Sequence, residues 1–228
     1  MSAGPKPARG RPARRVLQGR VGRLEPLDDA KHGESLWRSV AGAEAMWGYL
    51  PYGPWKDEVE FRAWLRERQA LDDPLYYAVI DGATGRALGC VTLMRIDQPN
   101  GVIETGHIFY SPSLQRTPLA TEAIYLLGKY VFDDLGYRRF EWKCNNANEP
   151  SRRAARRFGF TFEGVFRRHM IVKGKNRDTA WFSVIDEEWP TRKAAFQRFL
   201  SPENFDAMGN QKESLSALNA TGDVRPIA

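Results

Sequence analysis

The stretch Gln115-Arg116-Thr117-Pro118-Leu119-Ala120, followed by Thr121, Glu122 and Ala123, has the residue types of an anion site. Thr117 is a helix N-cap type, and Pro118 suits the first helical position. A helix start offers unpaired N–H groups and a partial positive charge, which suit a diphosphate. Arg116 adds a full charge, and Thr117 and Thr121 add hydroxyl donors. Pro118 has no N–H, so one donor is missing. The same residues would also serve as a plain strand-to-helix turn.

Glu104 is the first candidate for proton transfer. It lies in Ile103-Glu104-Thr105-Gly106-His107, and alternation puts Glu104, Gly106, Ile108 and Tyr110 on one strand face. A carboxylate in a partly desolvated cleft can take a proton from an ammonium group, directly or through water. A structural salt bridge would use the same carboxylate. His107 has the opposite parity. It titrates near neutrality, but a packed strand histidine is the simpler reading. Asn148-Glu149-Pro150-Ser151 opens a second helix, with Asn148 as cap, and Phe158-Gly159-Phe160 closes it.

Two further groups surround these. Trp47, Tyr49, Tyr52 and Trp55 lie among Gly and Pro in Gly42–Trp55. They could wall a groove or pack a loop over the core. From Arg152 to Arg177 the Arg and Lys residues face a single acid, Glu163. Such a stretch suits phosphates, an acidic ligand, RNA or a solvated helix face.

The elements that must position these residues alternate. Val16–Leu27 reads as a first strand, and Ala30–Val40 and Lys56–Ala70 as helices. Leu75–Ile80, Ala87–Ile96 and Val102–Tyr110 read as an antiparallel meander. A helix from Thr117, a strand at Arg139–Cys144 and a helix at Asn148–Phe158 follow. Strands Phe160–Met170 and Thr179–Glu188, joined by a polar turn at Lys173–Asp178, complete the order. This is one mixed sheet with helices on both faces.

The chain has 228 residues, 42% hydrophobic, enough for one sizeable core. Residues 1–15 hold Lys6, Arg9, Arg11, Arg14 and Arg15 and no acid, so most of the net charge of +6 belongs to one end. That argues against nucleic-acid binding by the body and leaves a basic tail as a possible RNA contact. Residues 1–15 and 203–228 are aperiodic and read as loose tails. Cys90 and Cys144 have no metal spacing and read as buried free thiols in a reducing compartment. No apolar run reaches membrane-span length, so the expected setting is the cytoplasm, without membrane or metal.

The element order and the local motifs resemble the GNAT acetyltransferases, nearest to their RimJ/RimL-type subgroup, over residues 16–190. Gln115–Ala120 is similar to the Q/R-x-x-G-x-G/A pyrophosphate loop, with Arg116 and Pro118 standing where relatives often have Gly. Asn148–Ser151 with Gly159-Phe160 looks like the N-x-x-S…G-F motif, and Glu104–Gly106 like the subgroup's E-x-G segment. The resemblance implies an α/β (α+β) fold with a mostly antiparallel central sheet of six to seven strands and about four helices. Residues 191–228 would be a C-terminal extension, partly helical and then loose.

It implies acetyl-CoA as co-substrate and a primary amine as acceptor, either a peptide N-terminus or a small molecule. Backbone at Phe109–Tyr110, with Gln115, Arg116, Thr117, Leu119, Ala120, Thr121, Asn148 and Ser151, would hold the donor. The family's equivalent of Asn148 contacts the CoA arm, and that of Ser151 protonates the leaving thiolate. Trp47, Tyr49, Tyr52, Trp55, Glu104 and Asp178 would frame the acceptor, in a monomer or homodimer. Two other functions remain open: a non-catalytic CoA-binding regulator, and an RNA-associated protein using the basic tail.

Overall fold

The computed structural model describes Gly4 and residues 6–220. Strands β1 (Leu17–Gln18) and β2 (Gly22–Pro26) precede helices α1 (Asp29–Val40) and α2 (Glu58–Gln69). Asp28 caps α1 and Asp57 caps α2 with their carboxylates, as short acids do at helix starts. Strands β3 (Leu75–Asp81), β4 (Ala87–Asp97) and β5 (Val102–Tyr110) form the meander. Helix α3 (Pro118–Lys129) runs on through a π turn, Tyr130–Asp134. Then come β6 (Arg139–Asn145), α4 (Glu149–Arg157), β7 (Thr161–Val172) and β8 (Lys175–Ile185). Helices α5 (Trp189–Leu200) and α6 (Leu215–Ala220) end the described chain.

The strands form one eight-stranded sheet in the order β1-β2-β3-β4-β5-β6-β8-β7. The β5–β6 pair is parallel, and the other pairs are antiparallel. The expected mixed, mostly antiparallel architecture is present, with one more strand than anticipated. The extra strand arises because Val16–Leu27 folds back at Gly19–Val21. Alternate residues of the sheet feed two cores. Tyr77, Val79, Val91, Leu93 and Ile103 pack under α3 and α5. Tyr76, Ala78, Ile80, Cys90 and Phe109 pack under α1 and α2. Cys90 and Cys144 are buried free thiols.

Three expectations need correction. The basic segment is not a loose tail from Lys6 onward: Ala8 is buried, and Arg9 donates to the Asp133 and Asp134 carbonyls. Arg11 binds the Ile96 carbonyl, Arg14 the Gln69 and Leu71 carbonyls, and Arg15 lies 4.2 Å over the Tyr130 ring and pairs with Asp134. Arg11, Arg14 and Arg15 also pair with the carboxylates of Asp73, Asp72 and Asp134, which offsets much of the segment's charge. Residues 203–220 are also held, since Asn204 binds the Phe199 and Glu213 carbonyls and Leu215 is fully buried; residues 221–228 lie outside the described residues. Finally, β8 begins at Lys175, four residues before the expected Thr179. Lys173 and Gly174 both have positive φ (49° and 72°), which makes a tight two-residue hairpin turn and lets both strands extend.

One buried acid ties the sheet edge to α3. Glu122, in the second turn of α3, accepts the N–H groups of Arg20, Val21 and Gly22 at 2.7–2.9 Å. These donors would otherwise be orphaned in the β1–β2 turn. Glu122→Ala is expected to lower the unfolding free energy by about 1–3 kcal/mol, measured by urea denaturation, because buried donors lose their acceptor. A loss within about 0.5 kcal/mol, as for an ordinary surface change, would show that the contact carries no stability.

Candidate active site

The parallel ladder between β5 and β6 covers Val102–Thr105 against Arg139–Trp142 and goes no further. Beyond it the strands part, leaving a V-shaped cleft between Gly106–Tyr110 and Lys143–Asn145. The cause is a bulge. Thr92 faces Gly106 and Cys90 faces Phe109, so β5 holds one residue too many. His107 sits in the bulge with φ 47°.

The bulge overturns the expected strand parity. Phe109 now shares the face of Glu104, while Ile108 and Tyr110 turn to the α3 side. The Ser111 N–H donates to the Leu88 carbonyl on β4. Alternation therefore turns the Tyr110 N–H, not that of Phe109, into the cleft. Phe109 contributes its ring to an aromatic cluster instead, 5.2 Å from Trp47.

At the top of the cleft the loop winds into α3. Gln115 Nε2 donates to the Tyr110 carbonyl at 2.9 Å, fixing strand end to loop. Arg116 adopts φ 62°, a left-handed conformation most natural to glycine. Thr117 caps α3, accepting the Ala120 N–H, with Pro118 in the first turn. Leu119 and Ala120 bring first-turn backbone to the loop, although their side chains are buried. Thr121 does not face an anion site. It is buried, and its hydroxyl accepts from Arg157 of α4 at 3.0 Å. That bond joins the two helices flanking the cleft. Burial lowers the Arg157 pKa.

On the β6 side, Asn148 caps α4 by accepting the Ser151 N–H at 3.2 Å. The Ser151 hydroxyl oxygen accepts the Trp142 indole N–H at 3.0 Å. This occupies a lone pair and leaves the hydroxyl proton free to donate. Ser151 also meets the Cys144 thiol, whose pKa burial raises.

The opposite sheet face carries charge. Glu104 is 4% exposed and lies 2.9 Å from Lys143 Nζ and 3.3 Å from Arg95. Burial raises its pKa, while Lys143 and Arg95 pull it back. Lys143 also pairs with Glu141 at 2.6 Å and stands 3.8 Å over the Trp181 ring. Sequence reasoning missed Lys143 and Arg95. Their convergence on Glu104 depends on the parallel register and on a second β4–β5 irregularity between Met94 and Asp97. His107 is a packed histidine, stacked 5.5 Å from Tyr52; burial, with Arg68, Arg95 and Arg177 nearby, lowers its pKa to about 4.

The aromatic residues divide. Trp47 is buried in the core, and half-buried Trp55 packs at its edge, 4.7 Å from both Trp47 and Trp64. Tyr52 reaches the His107 carbonyl at 3.4 Å, and exposed Tyr49 donates to the Ala147 carbonyl across the mouth. Asp178 faces neither group. Its carboxylate accepts from Arg168 N–H and Asn176 within the β7–β8 hairpin, and these bonds hold its pKa down. The hairpin reaches the aromatic loop through Lys173, whose ammonium donates to the carbonyls of Trp47, Tyr52 and Gly53 at 2.7–3.0 Å.

Comparison with known proteins places this geometry. Residues 23–161 match the acetyltransferase (GNAT) domain model. A GCN5-related N-acetyltransferase from Brucella melitensis superposes with a TM-score of 0.92 at 52% identity, covering 94% of this chain and 98% of that one. YdaF of Bacillus subtilis, provisionally named a ribosomal N-acetyltransferase, is 29% identical over 48% of this chain and 59% of its own length. The RimL ribosomal L7/L12 acetyltransferase shares the fold at a TM-score of 0.65 and 20% identity, over 75% of this chain and 94% of that one. The match to YdaF thus spans less than two thirds of that relative. The cleft, the capped α3 loop and the matched domain lead to one conclusion: the chain belongs to the GNAT acetyltransferase family.

Proposed function

We propose that the protein moves the acetyl group of acetyl-CoA to a primary amine by direct attack in a ternary complex. The acceptor is a protein N-terminus or a small-molecule amine. The carrying observation is the splay of β5 from β6, with the Tyr110 N–H turned into it and the α3 N-terminus at its head. A thioester arm fits such a slot as an added strand would. The Arg116–Ala120 loop meets the diphosphate, with the Arg116 charge replacing the donor that Pro118 lacks. The provisional name of YdaF fits a protein N-terminus as acceptor. Two buried free thiols fit a cytoplasmic setting.

Each group has one task. Glu104 accepts the ammonium proton, with its basicity sustained by burial. The free amine attacks the thioester carbonyl, and the Tyr110 N–H stabilises the oxyanion. As the C–S bond breaks, the Ser151 hydroxyl donates its proton to the thiolate and regains one, directly or through water, from the attacking nitrogen, which sheds its second proton as the amide forms. The Trp142 indole holds that hydroxyl in place.

Purified protein with acetyl-CoA and a panel of peptide N-termini, polyamines and amino acids should release free thiol with at least one acceptor. A CoA-dependent thermal shift with no release would instead establish a non-catalytic CoA binder. Ser151→Ala should lower kcat by about tenfold or more without changing the acetyl-CoA KM, since its proton is needed only as the thiolate leaves.

Glu104 works in its deprotonated form, so kcat/KM should rise with pH through an acid limb lying above the ordinary carboxylate range. Glu104→Gln should lower the rate by about 100-fold and remove that limb. An unchanged pH profile in the variant would exclude Glu104 as the base.

A further inference from the structure

The charges around Glu104 do not balance, and the surplus lies on the acceptor side of the cleft. Glu104, Glu141 and Glu163 are the acids. Arg139 binds Glu141 and Glu163, Lys143 is shared between Glu104 and Glu141, and Arg95 pairs with Glu104. Arg177 is left over. It stands on β8 with Thr179 and Trp181 on one strand face, the face of Lys143, since Thr179 pairs with Asn145 and Trp181 with Lys143. Its Nε donates to the Thr179 hydroxyl at 3.2 Å. Among the described residues no carboxylate stands within ion-pair distance of its guanidinium. Adjacent Asp178 points to the other face and is already bound by the Arg168 N–H and Asn176.

The surroundings are known on every side. Arg177 interacts electrostatically with Cys144, Glu104 and Arg95, and both arginines act on His107. Arg68 of α2 adds a third positive group near His107, and its Nε is buried without a partner. Arg177 is itself half-buried and partly desolvated. A desolvated guanidinium without a carboxylate is costly, and it attracts a planar anion that it can bind with two parallel N–H bonds. The amine must reach Glu104 from this same side.

We propose that the acceptor carries a carboxylate close to its amine and that Arg177, with Arg95 beside it, binds that carboxylate. The proposal rests on the acetyl-transfer reading and specifies its acceptor. Two sources supply this chemistry: the α-carboxylate of a free amino acid, and an acidic side chain next to a peptide N-terminus. The carboxylate neutralises the arginine while the ammonium faces Glu104. The acceptor is thereby oriented by two opposite charges before any bond changes.

The test uses matched acceptors with the full chain and acetyl-CoA, following thiol release. One pair is serine against serinamide; the other is Ser-Glu-Gly-amide against Ser-Gln-Gly-amide. The carboxylate-bearing member of at least one pair should be preferred in kcat/KM by about 10- to 100-fold, the effect of one charge-assisted bond. The pair that shows the preference identifies the source. Arg177→Gln should erase the preference through KM for the acidic member. The acetyl-CoA KM should stay unchanged, and Arg177→Lys should retain part of the preference. Arg95→Gln provides a second variant if Arg177→Gln melts at lower temperature, and it should also reduce the preference.

Release indifferent to the carboxylate overturns this proposal and leaves acetyl transfer standing. A rise in the acetyl-CoA KM alone assigns Arg177 to the donor and also overturns it. No release with any acceptor removes both.

Discussion

The extra residue at His107 is the constraint on which the site depends. A parallel pair would normally close all its hydrogen bonds along the ladder. Here the ladder stops at Thr105 and Trp142, and the backbone beyond it faces a gap. Unpaired strand N–H groups inside a protein carry a cost unless something meets them. In this fold the cost is placed where a linear ligand can meet it. The same bulge reverses strand parity, so one short strand serves both sides of the sheet. Glu104 looks to the face covered by the aromatic loop, and the Tyr110 N–H looks into the cleft.

A gap in a sheet would spread or collapse without anchors on its walls. The first wall is held by Gln115 on the Tyr110 carbonyl and by Glu122 on the β1–β2 turn. The second is held by Asn148 capping α4 and by Ser151 against Trp142. Arg157 joins the walls through Thr121. Lys173 draws the β7–β8 hairpin onto three carbonyls of the aromatic loop. Polar groups do the joining while the two apolar cores supply the bulk of the stability, which leaves the site itself free of apolar packing demands.

Much of this was legible in the residue order. Helix starts at Asp28, Thr117 and Asn148 follow from short-range capping chemistry, and each caps as its type predicts. The meander followed from alternation and turn residues. What failed to show was long-range. No local pattern marks the bulge, because His107 is not a glycine and its positive φ is imposed by neighbours stacked on it. Thr121 looked like a phosphate donor until Arg157, distant in sequence, claimed its hydroxyl. The arginines near the N-terminus looked free because their partners, backbone carbonyls of α2, β4 and the π turn and the carboxylates of Asp72, Asp73 and Asp134, are distant in sequence. Composition shows charges, but it does not show whose carbonyl each one meets.

The electrostatics of the sheet face set a condition on the proposed catalysis. Glu104 needs cations close by to remain ionised while buried, yet each cation would also weaken it in the proposed role of base. Lys143 resolves part of this conflict because Glu141 shares its charge. Arg95 is more exposed than Glu104, so water screens its pull. The balance leaves a carboxylate whose pKa is raised by burial more than it is lowered by its partners. An acceptor entering with its own carboxylate would tilt this further. By neutralising Arg177 it would withdraw one more positive field from Glu104 and strengthen the base as the ammonium arrives. Substrate recognition and proton removal would then be coupled through one set of charges, with no movement of the backbone needed.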